Sequence, residues 1–520
     1  MHPRRTCFLQ PVVPVPARSG QAMVFTLLFA AACALAGLVL FNSGMLANAK
    51  TRLQNAGDAG AYSAAVLQAR DHNFSAYLNR ATVANQVAVV QLASLKSYLE
   101  DAAHTHRRMG ETALSLESST IPADKPLWET AHGLPIESVA ADYADAAGPA
   151  VEGLDRLVRA FEAAQDAHHV ATALDMTVLA DEVVRRNDPS ARLTGSAFSL
   201  GTTAFEVERW SASTTAHRAN DDSPEADRFA DVVVSEDSTD PFTRNRLSAP
   251  LPGWGPATSV KACRALPNYL SSWTVFGFTH AGGSILAQDK KRWLALDATW
   301  GTGVQSCTFL VPCLPAGLCP WTDVTPLVDG NFGRGDSGGA VVGRNGGYDG
   351  RTGYRNNPAP TAGYGAALSN PLTLLPAQAR YHGAGPGATL DAGGGLQDWY
   401  RDVADPASAM RSGQGAQQNG GAGAVTIEVE RTGAGIRTAD KFLASAGSLR
   451  LDPALKGGTM RALSSAHAYF YRSNTDAGFT RAGWARADGK TELANLFNPY
   501  WQSRLVERTP QERTTSWSAQ

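Results

Sequence analysis

Between Arg18 and Lys50 the sequence carries no charged residue. That gap excludes a solvated segment there. An excess of basic residues is also missing: 46 Lys and Arg stand against 48 Asp and Glu, for a net charge of −2. Neutralising phosphates requires a basic surface, so a nucleic-acid partner is not expected. The chain has no Walker loop and no Gly-x-Gly-x-x-Gly followed by an acid, so nothing supports a nucleotide or another cofactor. Cys-x2-Cys pairs are missing too, which leaves no ground for a metal site. What is there is globular in character, with 43% hydrophobic and 18% charged residues. A chain of 520 residues is long enough for roughly two to four domains.

The charge-free gap contains AMVFTLLFAAACALAGLVLF at residues 22–41. Twenty residues rising about 1.5 Å each cover roughly 30 Å, the hydrocarbon thickness of a bilayer. Lipid cannot satisfy a bare backbone, so this segment must be helical. Residues 1–21 carry Arg4, Arg5 and Arg18 and no acid. The positive-inside rule therefore puts the N-terminus in the cytoplasm and the bulk of the chain across the membrane. A cleaved secretory signal peptide is the alternative, but its apolar core is usually about 7–15 residues, and this one is longer.

Residues 50–70, KTRLQNAGDAGAYSAAVLQAR, favour helix and contain no proline. Beyond them Phe74, Tyr77, Ala81, Ala84, Ala88, Leu92, Leu95 and Leu99 recur at steps of three and four, widened by Val83, Val87 and Val90. That spacing predicts one apolar helix face, packed on its own domain or on a partner. Helical steps return between 151 and 188, through Leu154, Leu157, Val158 and Phe161 to Leu174, Val178, Leu179 and Val183. Residues 42–190 thus read as a helical stalk region.

Three blocks resemble the TadE/TadG-like proteins of the Flp (tight-adherence) pilus assembly system. The first runs from Arg18 through Gly20 and Gln21 into the apolar helix. The second is TRLQNAGDAGA at 51–61, with Leu53, Gln54, Asn55 and Asp58. The third is ELANLFNPYWQSRL at 492–505, with Asn498, Pro499, Tyr500 and Trp501, similar to the tail of the larger TadG-like members. The resemblance implies a single-pass protein of a bacterial inner membrane with its bulk in the periplasm. It also implies a structural role without catalysis. Its partners would be the membrane and other pilus-assembly proteins, with pilin and a homo-oligomer as further candidates. Pilin-like relatives are cut after a glycine, which makes Gly20 and Gln21 the candidate processing site. Those relatives usually carry an acid five residues into the mature helix. Here Phe25 holds that place, which favours an uncleaved anchor.

Cys7 precedes the apolar segment and Cys33 lies within it, while Cys263, Cys307, Cys313 and Cys319 fall on the far side. In an oxidising compartment those four read as two disulfides, with three pairings open. Around them Trp254, Trp273, Trp293, Trp300 and Trp321 accompany short apolar runs broken by Pro and Gly, so 195–375 reads as a β-rich domain. Within it Gly335-Asp336-Ser337-Gly338-Gly339 matches the nucleophile segment of chymotrypsin-like serine proteases, and Ser337 would be the nucleophile. Thr215-Ala216-His217 only faintly echoes the base segment, and no aspartate segment stands out. A glycine-rich turn explains the match, and the overlapping Arg334-Gly335-Asp336 tripeptide, equally well. His104, His106, His168 and His169 read as solvated surface residues.

Residues 380–424 are glycine-rich and read as linker or loop. In the C-terminal α+β segment, 425–520, the run Val425-Thr426-Ile427-Glu428-Val429-Glu430 alternates like a half-buried strand, and 466–472 reads as another. The aromatic cluster at Tyr500 and Trp501 serves either the core or a partner surface. The expectation is an α+β fold: a transmembrane helix continuing into long helices, then a β-rich ectodomain. The leading function is a non-catalytic assembly component of a Flp-type pilus apparatus. A membrane-tethered hydrolase using Ser337 is the alternative.

Overall fold

The computed structural model describes residues 21–117, 135–195, 197–218, 232–233, 235–244, 246, 269–286, 292–314, 317–329, 338–343, 399–405, 420–439, 458–473, 477–486, 488–490, 492–507 and 514. Helices and antiparallel sheets share this part of the chain. Helix α1, Gln21–Glu117, is 97 residues long. At about 1.5 Å per residue it is roughly 145 Å from end to end. It contains no proline and does not break where the apolar segment ends. Its apolar N-terminal stretch is long enough to cross a membrane and is not buried against the rest of the chain.

The packed part of the molecule begins where that stretch stops. Asn42 is buried, and its Oδ1 accepts a hydrogen bond from the backbone N–H of Ala439 at 2.7 Å. Ala49, Leu53 and Ala56 follow as buried positions. From Asn42 onward α1 is therefore not a free-standing stalk.

Helix α2, Ile136–Asn187, lies antiparallel along α1. Tyr143 Oη donates to the carbonyl of Leu92, Gln165 Nε2 to that of Ser75, and Val184 approaches Gly60. The helix starts well before residue 151 and runs through Pro149. Proline removes one helical hydrogen bond there. Ala147 and Val151, on either side of it, are buried with Val89, Val90 and Ala93 of α1, and this packing holds the helix together.

Among the described residues ten strands, β1 to β10 in chain order, form three sheets. Strands β1 (Ala191–Leu193), β8 (Val425–Thr432), β9 (Thr459–Phe470) and β10 (Trp501–Leu505) make a four-stranded antiparallel sheet in that order. Strands β2 (Thr214–Arg218) and β7 (Trp399–Val403) pair separately. In the third sheet β4 (Arg292–Cys313) pairs with β3 (Tyr269–Leu286), β5 (Gly317–Asp329) and β6 (Gly338–Gly343). Helix α3, Ala197–Ser211, contributes Trp210 to the core, and α4 (Pro241–Arg244) and α5 (Ala477–Arg481) are short. Strand β7 falls inside the stretch that reads as linker or loop. Strand β8 is buried on both faces from Val425 to Glu430 rather than half-buried: Val425, Ile427 and Val429 sit in the core with α1 and α2, and Glu428 and Glu430 on the other face are ion-paired with Arg461 and Arg192 of the neighbouring strands.

Two glycines let α1 lie directly on this sheet. A Cβ at Gly57 would stand 2.6 Å from Ser464 Oγ and 3.0 Å from Val429 Cγ2. At Gly60 it would meet Ile427 Cδ1 and Val184 Cγ2, both at 2.8 Å, and the Ala180 carbonyl at 3.1 Å.

The apolar face of α1 differs from the one its spacing predicts. Tyr77 is 61% exposed, and Ala84 and Leu95 are also exposed. The buried face instead carries Gln68, Asp71, His72, Ser75, Asn79, Thr82, Gln86, Ser94 and Ser97, together with Val83 and Val90. The reason is what α1 packs against: carbonyls and amides of strands and loops, which need hydrogen-bonding side chains.

The close approach at Gly60 predicts opposite signs for two Gly→Ala changes. Gly60→Ala lowers stability by about 1–3 kcal/mol through overpacking. Gly148→Ala, with nothing within 4 Å of its added Cβ, raises it by up to about 1 kcal/mol through helix propensity. Denaturant unfolding of the two variants measures both.

Candidate functional site

Two of the three resemblance blocks, far apart in sequence, meet the same surface: the helix–sheet seam. In the second block Leu53 is fully buried. Gln54 Nε2 donates to Asp58 Oδ1 at 2.8 Å and to Ser464 Oγ of β9 at 3.0 Å, and Ser464 Oγ donates to the same Asp58 oxygen at 2.8 Å. Asn55 is exposed on the far side of the helix. A glutamine and an aspartate one turn apart thus clamp one β9 hydroxyl, and the neighbouring Gly57 allows the approach.

The third block closes on α1 four turns further along. Asn73 Nδ2 donates to the Trp501 carbonyl at 3.0 Å, and the Trp501 N–H donates to Asn73 Oδ1 at 3.1 Å. The side-chain amide pairs with β10 as a neighbouring strand would. Trp501 is 3% exposed, and its Nε1 donates to the Asn495 carbonyl. Asn495 Oδ1 accepts from the N–H groups of Phe497 and Asn498. Glu492 accepts from Asn495, Asn498 and Arg472. Pro499 and Tyr500 are half-buried, and the Arg472 guanidinium lies over the Tyr500 ring. Trp501 therefore belongs to the core, where its ring meets Phe470 edge-on and His72 at a tilt.

Between the two blocks lies a buried polar cluster that the sequence did not reveal. Asp71 is fully buried on α1 and takes one hydrogen bond on each carboxylate oxygen, from His168 Nδ1 at 2.5 Å and His169 Nδ1 at 2.7 Å. His169 Nε2 faces the Trp210 carbonyl at 3.1 Å, and Trp210 Nε1 returns a bond to the His169 carbonyl. His168 and His169 are thus not free solvated residues: the first is partly exposed yet tied to Asp71, the second is buried. Their partner sits nearly a hundred residues upstream on another helix, so local spacing could not show it. Burial raises the Asp71 carboxyl, but the bond from His169 leads the opposing effects and holds it below the ordinary aspartate value. His72, next in sequence, lies between Trp210 and Trp501, and neither ring nitrogen has a partner among the described residues. Desolvation lowers its pKa to about 3, so it is a neutral ring. Asn79, two turns on, donates to the carbonyls of Arg401 and Leu496 and accepts from Gln165.

The other sequence candidates are dispersed. Gln21 is the first residue of α1, and Gly20 lies outside the described residues. So do Cys263, Ser337 and the Arg334-Gly335-Asp336 tripeptide. Gly338 and Gly339 open β6 opposite Asp297 and Leu296 of β4. Thr215, Ala216 and His217 lie on β2, in a different sheet. Asp297 is buried and grips Arg246 through two bonds of 2.6 and 2.7 Å. Cys313 and Cys319 form a disulfide that closes the β4–β5 turn, Cys307 stands opposite Asp323 in the ladder, and Cys33 is free. His106 faces Glu137 at 3.6 Å, and His104 lies on α1. No group of three His, Cys, Asp or Glu residues suited to a metal ion occurs among the described residues.

No protein-family model matches the chain, and no curated protein or solved structure matches it.

The cluster makes folding acid-sensitive. The unfolded chain protonates His72 below its ordinary value of 6.5, while the folded chain resists until about 3. Stability therefore falls as pH drops through that window, by up to about 1.4 kcal/mol per pH unit for this histidine. The stability that Asp71 adds is present above its unfolded value of 3.8 and is lost as pH falls through its lower folded value. His72→Phe keeps the ring packing and removes the protonation site. It should melt above the parent at pH 5, with a smaller difference at pH 7, in paired thermal scans. Asp71→Ala should cost about 1–3 kcal/mol at pH 7, the penalty of leaving the buried His169 donor without its acceptor.

Proposed function

We propose that this chain is a membrane-anchored, non-catalytic assembly component of a Flp-type pilus or secretion apparatus. The carrying observation is the continuity of α1: one helix holds the membrane-crossing stretch and the axis on which the outer domain packs. Such a helix transmits position from the bilayer to the domain without a hinge. In this reading the N-terminus lies in the cytoplasm, the helix crosses a bacterial inner membrane and the β-rich ectodomain occupies the periplasm, where Cys313 and Cys319 oxidise.

The sequence blocks support the same reading. Leu53, Gln54 and Asp58 of the second block and Trp501 of the third, all in segments that resemble TadE/TadG-like proteins, fasten the anchor helix to the sheet. A block whose task is to join membrane helix to ectodomain suits an assembly scaffold. Catalysis would instead require residues converging on an open cleft. The partners in this reading are other pilus-assembly proteins in the membrane and envelope.

Fractionation of the expressing bacterium with intact-mass analysis tests the anchor: the full mass in the alkali-resistant inner-membrane pellet is expected. A mature chain starting at Gln21 would show pilin-type processing and overturn the uncleaved anchor. Complementation of a deletion strain tests the role. Ser337→Ala should restore surface pili to the parental level, whereas the hydrolase alternative requires it to fail. Pili undiminished by the deletion itself would overturn the assembly role.

A further inference from the structure

Helix α2 has two unlike sides. One side, with Gln165, His169, Thr172, Met176 and Ala180, is buried against α1 and its neighbours. The opposite side carries Ala163, Ala167, Val170, Leu174 and Val178, all exposed. Val170 is 63% exposed, and Leu174 and Val178 are 69% exposed. At about 100° per residue these five positions fall within roughly 80° of one another, a single apolar seam at the three- and four-residue steps of helix pairing. Nothing among the described residues covers it.

The charges frame this seam in a particular way. Just before it, Arg156 pairs with Glu152 at 2.5 Å, one turn apart on the same line of the helix. Just after it, Arg185 pairs with Asp181 in the same manner. Of the nearby acids, Asp166 is tied to Arg401 and Asp175 lies off the seam. The apolar stretch is thus bounded at both ends by ion pairs that are neutral on their own helix.

We infer that this seam is the contact with a second copy of the chain, formed side by side in the same membrane. This inference takes the direction of approach from the membrane-anchor reading and does not depend on the pilus role. Copies anchored by α1 leave the bilayer in the same direction, so their α2 helices are parallel and a two-fold axis along the membrane normal brings identical residues together. Val170 then meets Val170 and Leu174 meets Leu174. At each end an acid–base pair meets its own copy, a four-charge arrangement with no net charge, in which each arginine reaches both carboxylates. A partner of single-signed charge would lack that match.

The size of the seam is consistent with membrane-assisted pairing. From Glu152 to Arg185 the helix face is about 50 Å long and about 10 Å wide, which gives roughly 1,000 Å² over both copies. That is near the lower bound for stable interfaces of about 1,200 Å². Confinement to one membrane raises the effective concentration and supplies the remainder.

Disulfide crosslinking in intact membranes tests the inference, using the full chain with Cys7→Ser and Cys33→Ser as the background. Ala167→Cys, Val170→Cys and Leu174→Cys should each give a crosslinked species of twice the chain mass. Asp175→Cys and Arg186→Cys, exposed but off the seam, should give several-fold less. Adding Leu174→Lys to the Val170→Cys chain should cut its dimer yield about tenfold, the effect of roughly 1.4 kcal/mol. Because Leu174 is exposed, the melting temperature should not change. Equal yields on and off the seam, no yield above background, or an adduct of any other mass would overturn the inference. The alkali-resistant membrane pellet of the same samples separates the two readings. A chain absent from the pellet refutes the anchor, whereas a chain retained there without crosslinks refutes the seam alone.

Discussion

Every packed layer among the described residues touches one helix. Helix α2 lies along α1, the four-stranded sheet rests on its Leu53–Ala65 stretch through Gly57 and Gly60, and β4 and β10 meet it further out. The same helix begins as a segment apolar and long enough to cross a bilayer. A helix cannot bend sharply without proline, a glycine–serine pair or an inserted group. Between Phe41 and Leu53 the chain offers Ser43-Gly44, yet the helix stays intact there and Asn42 is already fixed by Ala439. Position and tilt of the apolar stretch therefore become position and tilt of the domain.

The cost of such an axis is polar burial. A helix packed on strand ends and loops meets carbonyls and amides as well as methyl groups, and each must be satisfied. Asn73, Asn79 and Gln165 do this with their side-chain amides, Asn73 and Gln165 bonding to two groups each and Asn79 to three. Asp71 solves a harder case by sharing its charge between His168 and His169. This chemistry ties the polar face of α1 to specific partners. It defines one register of α1 against α2 and β10, because a shift by one residue would strand every one of these groups.

Legibility from sequence followed the range of the interactions involved. The apolar segment at 22–41 needs only composition and length. Strands at 425–430 and 466–472 are visible in their alternation, and β8 and β9 include nearly all of those residues. The inward face of α1 was not legible, since periodicity marks apolar side chains and the true inner face is largely polar. Tyr77 follows the predicted ladder and is exposed, while Asn79 interrupts it and is buried. His168 and His169 looked solvated because Asp71 belongs to a different helix. The block at 492–505 stood out only by resemblance. Its physical role rests on the pairing of Trp501 with Asn73 across 428 residues, which no local pattern marks.

Helix α1 runs as one continuous element from its apolar segment into the domain core. Hydrogen–deuterium exchange of the full chain in lipid nanodiscs measures this continuity directly, amide by amide. Slow exchange is expected without interruption from the apolar segment through Asn42 and Leu53 to Asp101. A rapidly exchanging gap between Phe41 and Leu53 would reveal a hinge, and the ectodomain would then be tethered to the anchor rather than built on it.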